Sequence, residues 1–287
     1  MKEREAEYFV WLKDGRLQCR LCPHACVLED GESGLCKARR KENGSMKIPL
    51  YGAISSIALD PIEKKPLRHF LPGTETFSVG FWHCTMHCPF CQNWEIAHPV
   101  RIGDKILSPE DLIEMALDSG VPSISFTYSE PTLHVEYVKD CMVLARKRGL
   151  KTILVTNGNL LETPARDILL LTDAVNVDLK SFSPGIYHET LCGELKVVLK
   201  FIRIAFSLCH LEVTSLLVPG ILDSKSQIEG ISGFLSSLSR SIPLHITAYH
   251  PAYHWNKPGF SPSLTGTIAE PAFSNLDNVY LTRPYSR

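Results

Sequence analysis

The sequence predicts an α/β fold: an open (β/α)6 partial TIM barrel preceded by a cysteine-rich N-terminal cap. Three observations carry this. Six short runs rich in β-branched and aromatic residues recur after residue 75, helical patterns lie between them, and seven of the ten cysteines fall in two tight groups. The chain has 287 residues, 44% hydrophobic and 21% charged, enough for one barrel domain of roughly 200–250 residues plus an appendage. A net charge of −1 gives no basic footprint, so no nucleic-acid partner is expected. The opening "MKEREAEYF" is charged and lacks an apolar stretch, so no signal peptide is expected. No run approaches the roughly 18 apolar residues of a membrane span. A cytoplasmic location with no membrane contact is the expectation.

The strand candidates are 76–82, 123–129, 151–157, 174–180, 211–219 and 244–250. The segment 108–120 reads as a helix, with Ser108 as N-cap, Pro109 in the first turn and Gly120 beyond the end. In 132–149, Val135, Val138, Met142 and Ala145 share one face, and basic residues precede Gly149. Segments 193–209 and 224–240 complete the helical series. Residues 1–74 are punctuated by "KDGR", "EDGESG", "KENGS" and "LPGT", and read as a cap of hairpins and loops followed by a linker. The expected division is therefore 1–74 for the cap and linker, and 75–287 for the barrel.

In such sheets reactive groups collect at the C-terminal ends of the strands. The first strand candidate runs directly into "HCTMHCPFC", where Cys84, Cys88 and Cys91 fall within eight residues. Three thiolates on one loop can take three corners of a cubane cluster and leave one iron open. Zinc is the competitor; it wants four ligands in a closed site, for which His83 or His87 could supply the fourth. Free cysteines are often buried as small hydrophobes, but three in eight residues fit that reading poorly.

The C-x3-C-x2-C spacing after a first barrel strand, with Phe90 before the last cysteine, resembles the radical S-adenosylmethionine (radical SAM) superfamily. Longer stretches resemble the AmmeMemoRadiSam-system members, relatives of the pyruvate formate-lyase activating enzymes. They are, in order, "CRLCPHACVLEDGESGLC", "LYGAISSIALDPIEKKPLRHFLPG", "CPFCQNWEIA", "TYSEPT", "VTNGN", "DLKSF", "LLVPG" and "TAYHP". The resemblance implies a [4Fe–4S] cluster on Cys84, Cys88 and Cys91, with S-adenosylmethionine on the fourth iron. It implies reductive cleavage to a 5′-deoxyadenosyl radical that abstracts hydrogen from an unknown substrate, with electrons from a flavodoxin or ferredoxin. A glycyl-radical-type activating enzyme acting on a protein partner is the alternative, and a zinc-binding non-enzymatic module a third. Memo-like and AMMECR-type proteins are the implied partners.

By the same resemblance Ser129 and Glu130, at the tip of the second strand, would receive the methionine amine, although Tyr128 and Ser129 stand where the activating enzymes have glycines. Glu130 could instead cap the helix that follows. Asp178 and Lys180 alternate onto one face of the fourth strand end and would contact S-adenosylmethionine, Lys180 through its carboxylate. Asn157 would add a contact, or only make the turn with Gly158. His250 ends the sixth strand as a further candidate, whereas His245 reads as core. Thr214 occupies the place of an arginine that grips the cofactor in glycyl-radical activators, a departure from that pattern.

Cys19, Cys22, Cys26 and Cys36 form C-x2-C-x3-C-x9-C, four thiols able to close a structural zinc site or an auxiliary iron–sulfur cluster. Cys141, Cys192 and Cys209 are isolated and read as packing residues. Two readings stand for "DPIEKKPLRHF" (60–70). It folds over the barrel mouth, with Lys64, Lys65 or His69 facing substrate, or it is a solvated linker.

Overall fold

The computed structural model describes residues 4–103 and 105–282. In chain order, β1 (Arg4–Glu5), β2 (Phe9–Trp11), β3 (Leu17–Cys19), β4 (Val27–Leu28), β5 (Arg40–Glu42) and β6 (Ser45–Ile48) form two small antiparallel sheets, ordered β1-β6-β5 and β2-β3-β4. These make the cap. Then come β7 (Ile54–Pro61), β8 (Glu75–Phe81), β9 (Ser123–Thr127), β10 (Lys151–Thr156), β11 (Ala174–Asp178), β12 (His210–Leu217), β13 (Leu244–Ala248) and β14 (Val279–Thr282). They form one sheet in sequence order from β14 to β7. Strands β8 to β14 are parallel, and β7 pairs antiparallel with β8. The six expected strands are all present, and the open α/β barrel is as the sequence predicts.

The helices are α1 (Trp94–Ala97), α2 (Pro109–Asp118), α3 (Val135–Lys147), α4 (Glu162–Leu169), α5 (Leu195–Leu208), α6 (Lys225–Leu238) and α7 (Pro262–Asn275). Ser108 caps α2 by accepting from the Asp111 N–H, and returns its own hydroxyl hydrogen to Asp111 Oδ2 at 2.7 Å. Helix α3 buries Val135, Val138, Met142 and Ala145, the stripe read from the sequence. Helices α4 and α7 have weak sequence signals. The first has eight residues and no side-chain cap, and the second carries Gly266 and Pro271 inside it.

The segment expected as cap and linker reaches into the main sheet. Ile54–Pro61 is no linker, because it supplies an edge strand of the main sheet, with Pro61 opposite Glu75 at the end where the parallel strands begin. From there residues 62–70 turn into the barrel bore and plug it. Ile62 and Leu67 are fully buried against Ile153 and Ala174. Asn176 Nδ2 donates to the Pro66 carbonyl at 2.8 Å. The segment therefore enters from the end opposite the mouth.

Glu212, third residue of β12 and buried, ties the plug to the floor. Its carboxylate accepts from the Arg68 N–H (3.0 Å) and His69 N–H (2.8 Å), and it lies 3.0 Å from His210 Nε2 and 2.6 Å from His245 Nε2. Burial would raise its pKa, but these donors hold it at about 2. His245 is core, as read from the sequence.

The cap is fastened to α3 by a buried bidentate pair. Arg39 Nη1 and Nη2 donate to Glu136 Oε1 and Oε2 at 2.9 and 2.8 Å, and the Glu7 N–H also reaches Oε1 at 2.9 Å. Both side chains are almost wholly excluded from solvent. Losing one partner of such a pair strands a buried charge. Among the described residues, no helix is long and apolar enough to cross a membrane.

Candidate active site

Inside the barrel, alternate residues of each strand face the bore. At the mouth this places Thr127, Val155, Asp178, Thr214, Leu216 and Thr247 around a cavity of about 300 Å³. The loop after β8 brings Cys84, Cys88 and Cys91 to the same cavity. Expected Ser129, Asn157, Asp178 and Lys180 line it too, so seven of the nine mouth residues singled out from the sequence converge.

None of the ten cysteines is in a disulfide. Burial pushes the Cys88 thiol up to about 12 and raises Cys84 and Cys91 as well, so each would surrender a proton on binding iron. Two donors already point at Cys84 Sγ: the Met86 N–H at 3.4 Å and Asn157 Nδ2 at 3.6 Å. Such N–H···S contacts support a thiolate and tune a cluster. Asn157 also donates to Thr85 Oγ1 at 3.2 Å, and its Oδ1 accepts from the Asn159 N–H at 2.9 Å. It therefore both makes the turn and holds the cysteine loop. Gly158 follows at φ +68°, where a Cβ would press on Val177 and Phe201 at 3.2 and 3.3 Å.

Among the described residues, no three His, Cys, Asp or Glu side chains converge on a single-ion site. A cubane does not ask for that convergence, since each sulfur takes a different iron. The donor set at the mouth fits a three-cysteine cluster.

Lys180 Nζ sits 2.9 Å from Asp178 Oδ2. Burial would lower the Lys180 pKa, but Asp178 and Cys88 raise it, so the ammonium stays charged. The Lys180 N–H donates to the Tyr187 hydroxyl at 3.1 Å, fixing the strand end. One carboxylate and one ammonium side by side match the charges of an amino-acid zwitterion. Tyr128 (φ +47°) and Ser129 (φ +57°) both adopt the left-handed region at the tip of β9, a strain of about 1–3 kcal/mol each. Ser129 Oγ spends its hydrogen on the Phe81 carbonyl at 2.8 Å, which anchors the tip.

Two expected site residues are not in the cavity. Glu130 is fully buried and absent from the lining. Its carboxylate accepts from Thr132 N–H (3.1 Å), Thr132 Oγ1 (2.7 Å), Thr156 Oγ1 (2.7 Å) and the Asn157 N–H (2.9 Å). It caps the following turn and braces the strand tips. His250 is exposed, and its carbonyl accepts from Gln92 Nε2 at 3.1 Å. The strand ends at Ala248, two residues short of the expected end, which carries His250 out of the bore.

Of the cavity floor, Lys64 and Lys65 were singled out from the sequence in one of two readings, but their partner Asp60 was not. Lys64 lines the cavity from below, Lys65 is buried beside it, and both reach Asp60, at 2.6 and 2.7 Å. The Tyr128 hydroxyl donates to Asp60 Oδ2 at 2.8 Å, and Lys65 Nζ lies 4.4 Å from the Tyr128 ring centroid. Burial pulls Lys65 down to about 8. Burial would raise Asp60, yet hydrogen bonds from Lys64 and Lys65 hold it well below the carboxylate range. Among the lysines and histidine expected over the mouth, His69 is instead exposed at the far end, 2.6 Å from the Tyr280 hydroxyl. Period-two alternation in "IALDP" was the available signal, since it turns Asp60 to the same face as Ala58.

The cap cysteines are electrostatic neighbours of one another, and burial raises the Cys19, Cys22 and Cys36 thiols. Arg39 lies beside Cys19 and Cys36 with its buried Nε unpartnered. The cap also touches the mouth, because His24 Nε2 is 2.8 Å from the Thr85 carbonyl oxygen.

An open α/β barrel with three thiols at the mouth of its first parallel strand defines a class of cluster-dependent enzymes. The Radical SAM superfamily matches residues 83–231, and the chain belongs to that superfamily, whose members bind a [4Fe–4S] cluster and S-adenosylmethionine. It is 37% identical over 254 residues to the uncharacterized protein MJ0808 of Methanocaldococcus jannaschii, covering 87% of this chain and 75% of that one. It is 28% identical over 200 residues to the 7-carboxy-7-deazaguanine synthase of Thermococcus kodakarensis, covering 62% and 76%. It is 25% identical over 186 residues to the pyruvate formate-lyase 1-activating enzyme of Escherichia coli, covering 61% and 74%.

Proposed function

We propose that this chain reductively cleaves S-adenosylmethionine and abstracts hydrogen from a substrate held in the barrel beneath its cysteine loop. The observation that carries this reading is a single cavity lined by Cys84, Cys88 and Cys91 together with Asp178 and Lys180. When bound, the cluster supplies the electron that breaks a sulfonium carbon–sulfur bond of S-adenosylmethionine, yielding methionine and the 5′-deoxyadenosyl radical. The chain's own residues do the rest. Cys84, Cys88 and Cys91 hold three irons, and the Met86 N–H and Asn157 Nδ2 support the Cys84 thiolate. Lys180 would meet the methionine carboxylate and Asp178 would face the amine of bound S-adenosylmethionine.

The same reading places the chain in the AmmeMemoRadiSam group, with Memo-like and AMMECR-type partners and a flavodoxin or ferredoxin as electron donor. It also assigns a zinc ion or second cluster to Cys19, Cys22, Cys26 and Cys36. A zinc ion would need the thiols to close further, since no three described His, Cys, Asp or Glu side chains converge on a single-ion site. Metal-bound thiolates there would carry negative charge, and the unpartnered Arg39 Nε is a donor suited to it. Likeness to an activating enzyme favours a radical placed on a protein partner as the second reading. Thr214 departs from that pattern, since its hydroxyl is engaged with Asn176 Oδ1 at 2.9 Å.

Anaerobic reconstitution with iron and sulfide tests the proposal. The wild type is expected to release 5′-deoxyadenosine. The triple variant Cys84→Ala, Cys88→Ala, Cys91→Ala is expected to lose about four irons per chain and all cleavage. Undiminished iron in the variant, or zinc alone at the wild-type loop, would contradict it.

A further inference from the structure

Among the described residues, the floor of the cavity carries one ammonium more than its carboxylate balances. Lys64 and Lys65 both pair with Asp60, through Oδ1 and Oδ2. Two ammoniums share one carboxylate, which leaves one positive charge in excess. Lys65 has almost no exposed surface, so it takes Asp60 as its obligatory counter-charge. Lys64 differs. Its side chain keeps 42% of its surface open and lines the cavity. One oxygen of Asp60 holds it in place, and an ammonium has three donors.

Among the described residues, no second acid forms an ion pair with Lys64. Glu63, its neighbour in sequence, is turned away and accepts from the Gly73 N–H at 2.8 Å. The other charged side chains on the cavity wall besides the cysteines are Asp178 and Lys180, which pair with each other. Tyr128 walls the site, with Lys64 Nζ 5.8 Å from its ring centroid. The left-handed turn at Tyr128 and Ser129 fixes this ring in place.

We infer that Lys64 is a substrate-binding residue and that the substrate carries an oxyanion, a carboxylate or phosphate, which docks on the Lys64 ammonium at the cavity floor. This rests on the reading of the cavity as the radical site, and names the chemical class that site takes. An oxyanion there would complete the charge that Asp60 leaves unbalanced, and would aim the rest of the molecule up toward the cysteine loop.

The test uses the reconstituted holoenzyme with inorganic phosphate and acetate as probes, each followed by its NMR line width. Wild-type protein should bind at least one of the two saturably. Lys64→Met should weaken that binding about tenfold or more, and Lys64→Arg, which keeps the charge, should restore it to within about threefold. The tighter probe tells a phosphoryl-bearing substrate from a carboxylic one. Iron per chain and thermal midpoint are read on all three proteins, since Lys64 ligates no iron. Equal binding by wild type and Lys64→Met overturns the inference, as does absence of saturable binding of both probes to cluster-loaded wild type. A wild type that takes up no cluster would instead overturn the underlying reading of the cavity.

Discussion

The two ends of the barrel bore use the same alternation of inward side chains to opposite effect. At the far floor, around Glu212, polar groups satisfy one another. Glu212 gathers two backbone N–H groups and two histidine nitrogens, and Asn176 links the plug to Thr214. At the mouth, three thiols, Cys88 buried and Cys84 and Cys91 partly so, crowd one loop, and Tyr128 and Ser129 hold strained backbone. Buried polar groups that close on each other stabilise a fold, whereas groups left open at high cost mark where a ligand completes the structure. Damage to the floor should therefore be read in stability, and damage to the mouth in chemistry.

The sharpest break of this contrast is Cys91→Ala. It should abolish 5′-deoxyadenosine formation while shifting the thermal midpoint of the metal-free protein only slightly, as followed by circular dichroism. A large loss of stability in the metal-free variant would mean that the mouth, too, is structural. At the floor, Glu212→Ala should destabilise the fold by about 3–5 kcal/mol in denaturant melts, because it strands two buried backbone donors and His245. A change under about 1 kcal/mol would show that the plug is not fastened there.

Acid offers a gentler probe of the same residue. The Glu212 carboxyl is lowered from 4.5 to about 2 by folding. Its stabilisation is complete above about pH 4.5 and is lost as pH falls toward 2, since the unfolded chain takes up the proton first. About 3 kcal/mol should vanish across that window in wild type. In Glu212→Gln this part of the acid sensitivity should be missing. Smallest in free energy, Lys180→Met should raise the KM for S-adenosylmethionine about tenfold to a hundredfold, equivalent to about 1.4–3 kcal/mol. Its unfolding midpoint should stay near wild type. An unchanged KM would remove Lys180 from the cofactor site.

Legibility in the sequence followed the range of the interaction. The strands and capped helices could be read because their signals lie within ten or so residues: β-branched runs, Ser108 before Pro109, the stripe on α3. The cysteine loop could be read because all three ligands sit on one turn after one strand. Asp178 and Lys180 could be read because a strand alternates. Glu130 and His250 lie outside the cavity lining for the same reason in reverse. Both stand at strand ends, where one residue of slippage, or a left-handed turn like that at Tyr128 and Ser129, re-aims the side chain. The floor gave no local signal. Glu212, His245 and the Arg68 and His69 amides come from three separate elements, and only closure of the barrel brings them within hydrogen-bond reach.

The sequence by itself determined the barrel class, the cluster loop and the charged pair beside it, because periodicity and ligand spacing are properties of short segments. Only the tertiary structure decided that "DPIEKKPLRHF" plugs the bore and leaves Lys64 open at its floor. Which of several polar groups closes on a partner, and which stays open, depends on distances between segments remote in the chain. Those distances are set by packing, not by order along the sequence.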